Sequence, residues 1–244
     1  MNIKGIRIVA SYSCKRNCPF CYQKVKNGGF LSKINLEKTL DRFNTIIPEY
    51  ITFQGGELSY YEHETNEIMK VVDDRFPNVH IKSLTTNGDG RLDFYSNLNK
   101  YGINNITFSI NGFINTNLVN KLNKLKKTGM YTIRINTVLD VNNIKNLLDV
   151  LHFCIKNDFQ LTICENMRLQ PNYSKSILEQ ELLDFEIIKE ENQYNIYRLK
   201  ERNYEFWVYK HQNHYDFDNL IILPDGTTTY DFDDVINCKG NFDA

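Results

Sequence analysis

One stretch of this 244-residue chain indicates its fold: Ile6-Arg7-Ile8-Val9-Ala10-Ser11-Tyr12-Ser13-Cys14-Lys15-Arg16-Asn17-Cys18-Pro19-Phe20-Cys21. Its apolar first part is typical of a buried strand. Its second part places three thiols within eight residues on the loop that follows this strand. Such a loop can wrap one metal centre and leave it one ligand short, and the open position can then bind and activate a small molecule.

Three other interpretations of the cysteine loop remain open at this point. A structural zinc site needs a fourth Cys or His, and none of the five histidines (His63, His80, His152, His211, His214) has finger or ribbon spacing to the thiols. A disulfide with one leftover thiol needs an oxidising compartment, and no signal peptide precedes the loop. The third is chance. An iron–sulfur site is the leading interpretation.

Composition and charge narrow the function classes. Hydrophobic residues make up 41% of the chain, which is enough for a sizeable core, and the net charge is −1. That charge gives no bulk attraction to nucleic acid, so a nucleic-acid partner is not expected. No apolar run reaches membrane-spanning length, and no targeting pattern opens the chain. We therefore expect a cytoplasmic location and no membrane partner.

Apolar runs and helical periodicities alternate six times along the first two thirds of the chain. The predicted strands are 3–11, 50–54, 79–84, 105–109, 131–139 and 160–165, and the predicted helices are 36–47, 63–75, 92–101, 118–127 and 143–157. This rhythm predicts an α/β fold with a parallel sheet, in which ligands bind at the carboxyl ends of the strands. Each strand carries residues suited to a site at or near its end: the thiols, Gly55-Gly56-Glu57, Thr86-Asn87-Gly88, Ser109 with Asn111, Asn136 inside strand five, and Glu165-Asn166-Met167-Arg168.

The last third of the chain has a different character. Residues 176–191 are predicted as a charged helix, and residues 204–209 alternate like a strand. Residues 219–223 and 227–232 flank Pro224-Asp225-Gly226, a pattern typical of a hairpin. We predict a small C-terminal α+β cap, with the first domain at 1–170 and the cap at 171–244.

The loop and the strand ends together resemble one known family. Cys14, Cys18 and Cys21, with Phe20 before the last thiol, match the CxxxCxφC loop of the radical S-adenosylmethionine (radical SAM) superfamily, and Phe53-Gln54-Gly55-Gly56-Glu57 resembles its GGE motif. Thr85-Thr86-Asn87-Gly88, Phe108-Ser109-Ile110-Asn111-Gly112 and Ile135-Asn136-Thr137-Val138 resemble strands three to five of the SPASM/twitch and molybdenum-cofactor cyclase branch. The resemblance covers about residues 5–168 and implies a partial (β/α)6 TIM-type barrel.

The resemblance also implies two cofactors. Cys14, Cys18 and Cys21 would hold a [4Fe-4S] cluster, whose fourth iron binds the amino and carboxylate groups of S-adenosyl-L-methionine. An electron from a flavodoxin- or ferredoxin-type donor would cleave that ligand to a 5′-deoxyadenosyl radical, which abstracts hydrogen from a substrate carbon. The residues expected to bind the cofactor are Phe20, Tyr22, Gln54, Gly55, Gly56, Glu57, Thr86, Asn87, Ser109, Asn111, Arg134, Asn136 and Met167.

Individual roles follow for some of these residues. The glycines let the backbone approach the cofactor closely. Glu57 can accept a hydrogen bond from the ligand's ammonium group. Ser109 and Asn136 can hold the carboxylate or ribose, or they are ordinary polar residues of the barrel.

The sequence departs from the family pattern in two places near these residues. Leu58 stands where a proline usually follows the GGE motif, and no basic residue follows Asn111 closely. Arg134 or Arg168 is expected to supply that charge to the carboxylate. A buried ion pair between an arginine and Glu165 is the alternative.

The C-terminal hairpin resembles the one that opens a SPASM or twitch extension, but Thr229-Tyr230-Asp231 stands where that hairpin carries its cysteine. Cys154, Cys164 and Cys238 remain, so no auxiliary cluster is expected, and such cysteines are mostly inert core residues. Cys238 is a candidate hydrogen donor to a substrate radical. We expect a small peptide as substrate, epimerised or crosslinked, and bound along the free edge of residues 204–209. The alternatives are a carbohydrate or nucleotide-derived substrate, and a non-catalytic metal-binding protein.

Overall fold

The computed structural model describes residues 3–21, 28–112, 114–139, 144–166, 177–178, 180, 185–191, 194–210 and 218–236. The strands, numbered in chain order, are β1 (Gly5–Ser11), β2 (Tyr50–Gly55), β3 (Ile81–Thr86), β4 (Asn105–Ser109), β5 (Thr132–Leu139), β6 (Gln160–Glu165), β7 (Phe185–Glu190), β8 (Tyr194–Leu199), β9 (Tyr204–Tyr209), β10 (Asn219–Ile222) and β11 (Thr228–Thr229). The helices are α1 (Lys33–Arg42), α2 (Glu62–Arg75), α3 (Leu92–Ser96), α4 (Thr116–Thr128), α5 (Ile144–Asn157) and α6 (Phe232–Ile236).

The chain divides into two compact units, and the boundary falls inside β4, α4 and β5. One unit comprises residues 1–106, 121–132 and 214–244, and the other comprises residues 107–120 and 133–213. The predicted alternation of strands and helices is present through β6, in an α/β fold whose sheet is mostly parallel. No helix in the described ranges is long and apolar enough to cross a membrane.

In the first unit, the strand order is β11-β10-β1-β2-β3. β1 is parallel to both of its neighbours, β2 and β10. Ile6, Ile8, Val9 and Ala10 are fully buried, so side chains on both faces of this strand are covered. Burial on both faces explains why β1 is a nearly continuous apolar run without alternation.

Helix α1 starts at Lys33 and ends at Arg42, so both of its ends lie earlier in the chain than the predicted range of 36–47. Ser32 is its N-cap, and the Ser32 Oγ accepts a hydrogen bond from the Asn35 backbone N–H at 3.2 Å. The periodicity predicted helix to residue 47, but α1 ends at Arg42, with Phe43 as its C-cap. Ile47 lies outside the helix and is 88% exposed. The apolar repeat therefore overestimated the length of this helix.

In the second unit, the order is β5-β6-β9-β8-β7. β5, β6 and β9 run parallel, whereas β9, β8 and β7 form an antiparallel meander. The predicted charged helix over 176–191 is wrong for residues 185–190, which form β7. Phe185 and Ile187 face the more buried side of this strand, and Phe185 packs against Tyr197 of β8 with ring centroids 5.2 Å apart. Pairing with β8 overrides the helical preference of the charged residues.

The predicted free edge at residues 204–209 is also wrong. These residues form β9, which is hydrogen-bonded to β6 on one side and β8 on the other. A peptide cannot add to a strand whose two edges are already paired.

The C-terminal hairpin is confirmed, and its place in the sheet was not foreseen. β10 and β11 pair antiparallel across a turn in which the Leu223 N–H donates to the Thr227 carbonyl at 2.9 Å. β10 lies beside β1, so the hairpin extends the sheet of the first unit. Its side chains join a buried cluster formed by Val9, Tyr12, Ile221, Leu223 and Val235, with Phe232 packed against it. The division at residue 170 stays a prediction.

Candidate functional site

The cysteine loop begins directly after β1. Cys14, Cys18 and Cys21 carry reduced thiols and are partly exposed, as is Phe20. The Cys21 backbone N–H donates to the Cys18 carbonyl at 3.1 Å, which closes a turn around the second and third thiols. The stem is anchored by the buried Tyr12 and by the Ser11 Oγ, which accepts from the Ser13 N–H at 3.0 Å. Three partly exposed thiols on one anchored loop are suited to bind three irons of an iron–sulfur cluster and to leave a fourth iron open.

The grouping of ligands bears on which metal centre this loop suits. Among the described residues, no three side chains of His, Cys, Asp or Glu are gathered closely enough to hold a single metal ion. A mononuclear zinc site would gather four ligand atoms around one point, so that alternative gains no support from the described residues. The cysteines of a four-iron cluster each bind a different iron and need not meet at one point. It is the chemistry of the three thiols, and not their arrangement, that suits this loop to a cluster.

The end of β2 packs directly against the stem of the cysteine loop. The Gly56 N–H donates to the Ser11 carbonyl at 2.6 Å, and the Glu57 N–H donates to the Ser13 carbonyl at 2.9 Å. A Cβ on Gly55, whose φ is +136°, would lie 2.3 Å from the Ser11 oxygen, and a Cβ on Gly56 would lie 1.9 Å from the Ser13 oxygen. Both glycines are thus required for a close contact between two backbone segments, a reason that the sequence did not reveal.

Glu57 is fully buried and joins the ends of β2 and β3. Its carboxylate accepts hydrogen bonds from the Ser59 N–H at 3.1 Å, from the Thr86 Oγ1 at 2.7 Å and from the Asn87 N–H. A carboxylate has about four acceptor positions, and three of them are filled from within the protein. The predicted contact between Glu57 and a ligand ammonium group stays a prediction, while its role in holding the Thr86-Asn87 backbone is visible.

Two side-chain amides near these strand ends have donors to spare. Asn87 Oδ1 accepts from the Asp89 N–H at 2.8 Å, which fixes the orientation of its amide group. The Asn87 Nδ2 and Gln54 Nε2 atoms are buried and have no hydrogen-bond partner among the described residues. Asn87 is close enough to Tyr60 and Asp89 to act as a minor lowering influence on the pKa of each. Its Nδ2 atom nevertheless lacks hydrogen-bond geometry with either residue. Buried donors without partners are costly, and a bound acceptor would satisfy them.

An ion pair that sequence reasoning missed joins the cysteine loop to the end of β3. The Arg16 guanidinium donates to both carboxylate oxygens of Asp89, with Nε to Oδ2 at 3.0 Å. The Tyr60 hydroxyl donates to Asp89 Oδ2 at 2.6 Å, and the Lys15 Nζ lies 4.6 Å from the centre of the Tyr60 ring. An available signal was the acid between Gly88 and Gly90 on the predicted rim.

These contacts shift two pKa values. Partial burial acts to raise the pKa of Asp89, but the hydrogen bonds from Arg16 and Tyr60 outweigh it and hold that pKa below its usual value. Burial, together with the hydrogen bond to Asp89, raises the pKa of Tyr60. At neutral pH, Asp89 is therefore ionised and Tyr60 is a neutral donor.

Lys121 of α4 is a second residue that sequence reasoning missed. It is only 7% exposed, and its ammonium group donates to the Gly88 carbonyl at 2.6 Å and to the Gly90 carbonyl. It also lies 5.2 Å from the centre of the Tyr95 ring. Burial lowers its pKa, against the opposing effect of Asp89 and Glu57. Its position on the apolar face of α4, with Leu122 and Leu125, was the signal in the sequence.

The second unit holds the remaining described candidates. Asn111 Oδ1 accepts from the Val138 N–H at 2.6 Å, so this side chain ties the end of β4 to β5. Ser109 and Asn136 are partly exposed. Arg134 is exposed at the third residue of β5, and its Nε donates to Gln160 Oε1 at 2.9 Å. The predicted role of Arg134 at a carboxylate stays a prediction, and its place in the first half of the strand does not favour it.

The alternative of a buried ion pair between Arg134 and Glu165 is wrong. Arg134 lies opposite Gln160 in the register of β5 and β6, whereas Glu165 lies opposite Leu139 at the other end of the pair.

The cysteines outside the loop are unreactive in character where they are described. Burial raises the pKa of Cys154 to about 12 and that of Cys164 to about 11, so both thiols are protonated at neutral pH. Tyr22, Met167, Arg168 and Cys238 lie outside the described residues, so their predicted roles stay predictions.

Comparison with known proteins agrees with this geometry. Over 137 residues, the chain is 27% identical to the GTP 3',8-cyclase of Mycolicibacterium smegmatis. The aligned region covers 51% of this chain and 37% of the cyclase. Its fold resembles that of Streptococcus suis SuiB bound to the precursor peptide SuiA, with a TM-score of 0.65, 13% identity, and coverage of 98% of this chain and 62% of SuiB. It also resembles anSMEcpe with bound AdoMet and the Cp18Cys peptide, with a TM-score of 0.55, 18% identity, and coverage of 68% and 51%.

These likenesses confirm the predicted α/β partial-barrel fold class, and the chain spans less than two thirds of the length of each of the three relatives. The model of the Radical SAM superfamily matches residues 8–154, which include the cysteine loop, the end of β2 and the end of β3. The chain belongs to the radical SAM superfamily of enzymes.

Proposed function

We propose that this protein is a radical SAM enzyme whose cysteine loop binds a [4Fe-4S] cluster beside a site for S-adenosyl-L-methionine. The observation that carries the proposal is the direct contact between the end of β2 and the stem of the loop, where the Gly56 and Glu57 N–H groups bind the Ser11 and Ser13 carbonyls. This contact holds the stem of the cysteine loop against the end of β2, which is one of the predicted cofactor-binding segments. When bound, the cluster and its ligand supply a 5′-deoxyadenosyl radical that abstracts hydrogen from a substrate carbon, with the electron coming from an external donor.

The chain's own residues would position the ligand. The Gln54 Nε2 and Asn87 Nδ2 donors are buried and lack partners among the described residues, which suits them to the carboxylate or ribose oxygens of the ligand. Glu57 and Lys121 hold the backbone that carries Asn87. The roles predicted for Ser109 and Asn136 stay predictions.

A small peptide is the substrate that we propose, for epimerisation or crosslinking. Support comes from SuiB and anSMEcpe, which are related in fold and whose structures contain bound peptides. A nucleotide-derived substrate is the second candidate, because the relative with 27% identity is a GTP 3',8-cyclase.

Cluster binding is the first prediction. Anaerobic reconstitution should give about four irons and four sulfides per chain, with visible thiolate-to-iron absorption. Replacing Cys14, Cys18 or Cys21 with Ala should abolish that absorption. The matched control is Cys154→Ala, because Cys154 is buried away from solvent and should leave the absorption intact. Purified protein that holds stoichiometric zinc and takes up no iron would refute the proposal.

The same reduced, reconstituted protein tests activity. It should convert S-adenosyl-L-methionine to 5′-deoxyadenosine and methionine, slowly even without substrate. A short peptide encoded beside its gene should accelerate that cleavage, whereas GTP should not. Acceleration by GTP alone would favour the nucleotide-derived candidate, and iron uptake without any cleavage would leave only the non-catalytic metal-binding alternative.

A further inference from the structure

Both residues that follow Cys14 are engaged by side chains outside the loop. Arg16 makes a two-pronged ion pair with Asp89, and Lys15 lies over the ring of Tyr60. The Tyr60 hydroxyl binds the same carboxylate as Arg16, at 2.6 Å. We call Arg16, Tyr60 and Asp89 together the latch. The latch fixes the residues between the first two thiols, Cys14 and Cys18. A bidentate arginine–carboxylate pair fixes orientation as well as distance.

Asp89 is itself held from the opposite side by buried charges. The Lys121 ammonium group binds the carbonyls of Gly88 and Gly90, the two residues that flank Asp89. The fully buried Glu57 binds the Asn87 N–H in the same turn. Burying a charge costs several kcal/mol unless hydrogen bonds compensate it. Two buried charges of opposite sign therefore restrain one short turn. Lys121 holds its carbonyl groups, and Glu57 holds an amide group.

We infer that Asp89 is a positioning residue that holds the cysteine loop ready for its cluster, and that Lys121 sets the position of Asp89. The latch orders the loop in the apoprotein, so assembly of the cluster does not have to order the chain as well. Only the last experiment, which follows iron uptake and the reduction potential of the cluster, rests on the proposed function. The order of the loop in the apoprotein can be measured whether or not a cluster binds.

The first experiment is amide hydrogen exchange of the apoprotein over the loop peptide 13–21. Asp89→Asn should speed exchange there about tenfold, because the charged hydrogen bonds to Arg16 are lost. Arg16→Ala should also speed exchange about tenfold. Exchange in the double variant should be no faster than in either single variant, because each of the three proteins lacks the same ion pair. Arg16→Lys, which keeps the charge without the two-pronged geometry, should lie between them and the parent.

The matched control is Glu62→Gln. Glu62 forms a two-pronged pair with Arg91 in the same unit, at 2.8 and 3.2 Å, and has no part in the latch. Its loss should leave exchange over 13–21 unchanged. Additive effects of the two latch substitutions, or unchanged exchange in Asp89→Asn, would overturn the inference.

Lys121→Met tests the second half of the inference against another buried lysine. Lys82 is 2% exposed and pairs with Asp73, so Lys82→Met removes a comparable buried charge at a different place. Both variants should melt at lower temperature, but only Lys121→Met should speed exchange over 13–21. Equal acceleration by Lys82→Met would show that global destabilisation explains the effect and would overturn the role of Lys121.

Reconstitution of the cluster tests this inference separately from the proposed function. In Asp89→Asn, iron should enter the loop more slowly during reconstitution, and the reduction potential of the assembled cluster should shift because the charge of Arg16 is no longer balanced. Parent-like uptake and potential would overturn the positioning role. A parent protein that takes up no iron would refute the proposed function, while the exchange measurements would still decide whether the latch orders the loop.

Discussion

At the scale of single residues, the glycines of the Gly55-Gly56-Glu57 motif make the sharpest prediction. Gly56→Ala would place a Cβ 1.9 Å from the Ser13 carbonyl oxygen, a distance at which backbone must move. We expect a loss of at least about 3 kcal/mol in the free energy of unfolding, measured by urea denaturation. Gly29→Ala is the control, because a Cβ there meets nothing within 4 Å. Similar stability of the two variants would mean that the contact between β2 and the loop stem is looser than described.

Thiol reactivity gives a prediction with a defined pH dependence. The pKa of Cys164 is raised to about 11 and that of Cys154 to about 12, so at about pH 8 no more than about one thiol in a thousand is ionised. Iodoacetamide should therefore leave both unlabelled in the native apoprotein, and labelling of Cys164 should rise only as the pH approaches 11. Mass spectrometry of the labelled peptides, with urea-unfolded protein as the control, measures this. Fast labelling of either cysteine at pH 8 would contradict it.

Residue roles were less predictable from sequence than residue identities. The spacing of the thiols and the motif ending in Glu57 identified the family, because each is a local pattern. The contact of Glu57 with Thr86 and the pair between Arg16 and Asp89 were not predictable, since those side chains meet across about 30 and 73 residues of chain. Asn111 was expected to touch the cofactor and is engaged with the backbone of β5.

At the scale of elements, β10 makes a prediction about the support of β1. Ile221 is fully buried against Val9 and Tyr12, so Ile221→Ala should lower the free energy of unfolding by about 2–5 kcal/mol and loosen the stem of the cysteine loop. Ile34→Ala on α1 is the control, because Ile34 is 61% exposed and should change stability by no more than about 0.5 kcal/mol. Chemical denaturation checks both. A small effect at Ile221 would mean that β10 adds little to the unit.

Elements were predictable where apolar periodicity was unbroken. The strands at 105–109 and 160–165 have the predicted bounds, because apolar and polar residues alternate in both and polar turns flank them. β7 was missed since Glu186, Lys189 and Glu190 dilute its alternation, and only pairing with β8 makes it a strand. β8 was not predicted at all.

At the scale of the whole molecule, the order of strands within the first unit was the least predictable feature. Local patterns indicate that a strand exists, but they do not say which strand lies beside it. The C-terminal hairpin was therefore expected in a cap, whereas hydrogen bonds place β10 alongside β1. The alternation of strands and helices was easier to predict, because it depends only on the usual length and handedness of the connections between parallel strands. It was confirmed through β6.

The pairing of β1 with β10 has a consequence for biosynthesis. Gly5 lies opposite Asn219, so β1 gains this neighbour only after more than two hundred further residues have been made. At translation rates of about 5–20 residues per second, this interval lasts roughly 10–40 seconds. Throughout that time one edge of β1 is bare and the core around Tyr12 is incomplete. The stem that carries Cys14, Cys18 and Cys21 thus emerges early, but its support by the C-terminal hairpin is complete only after residue 219 has been made.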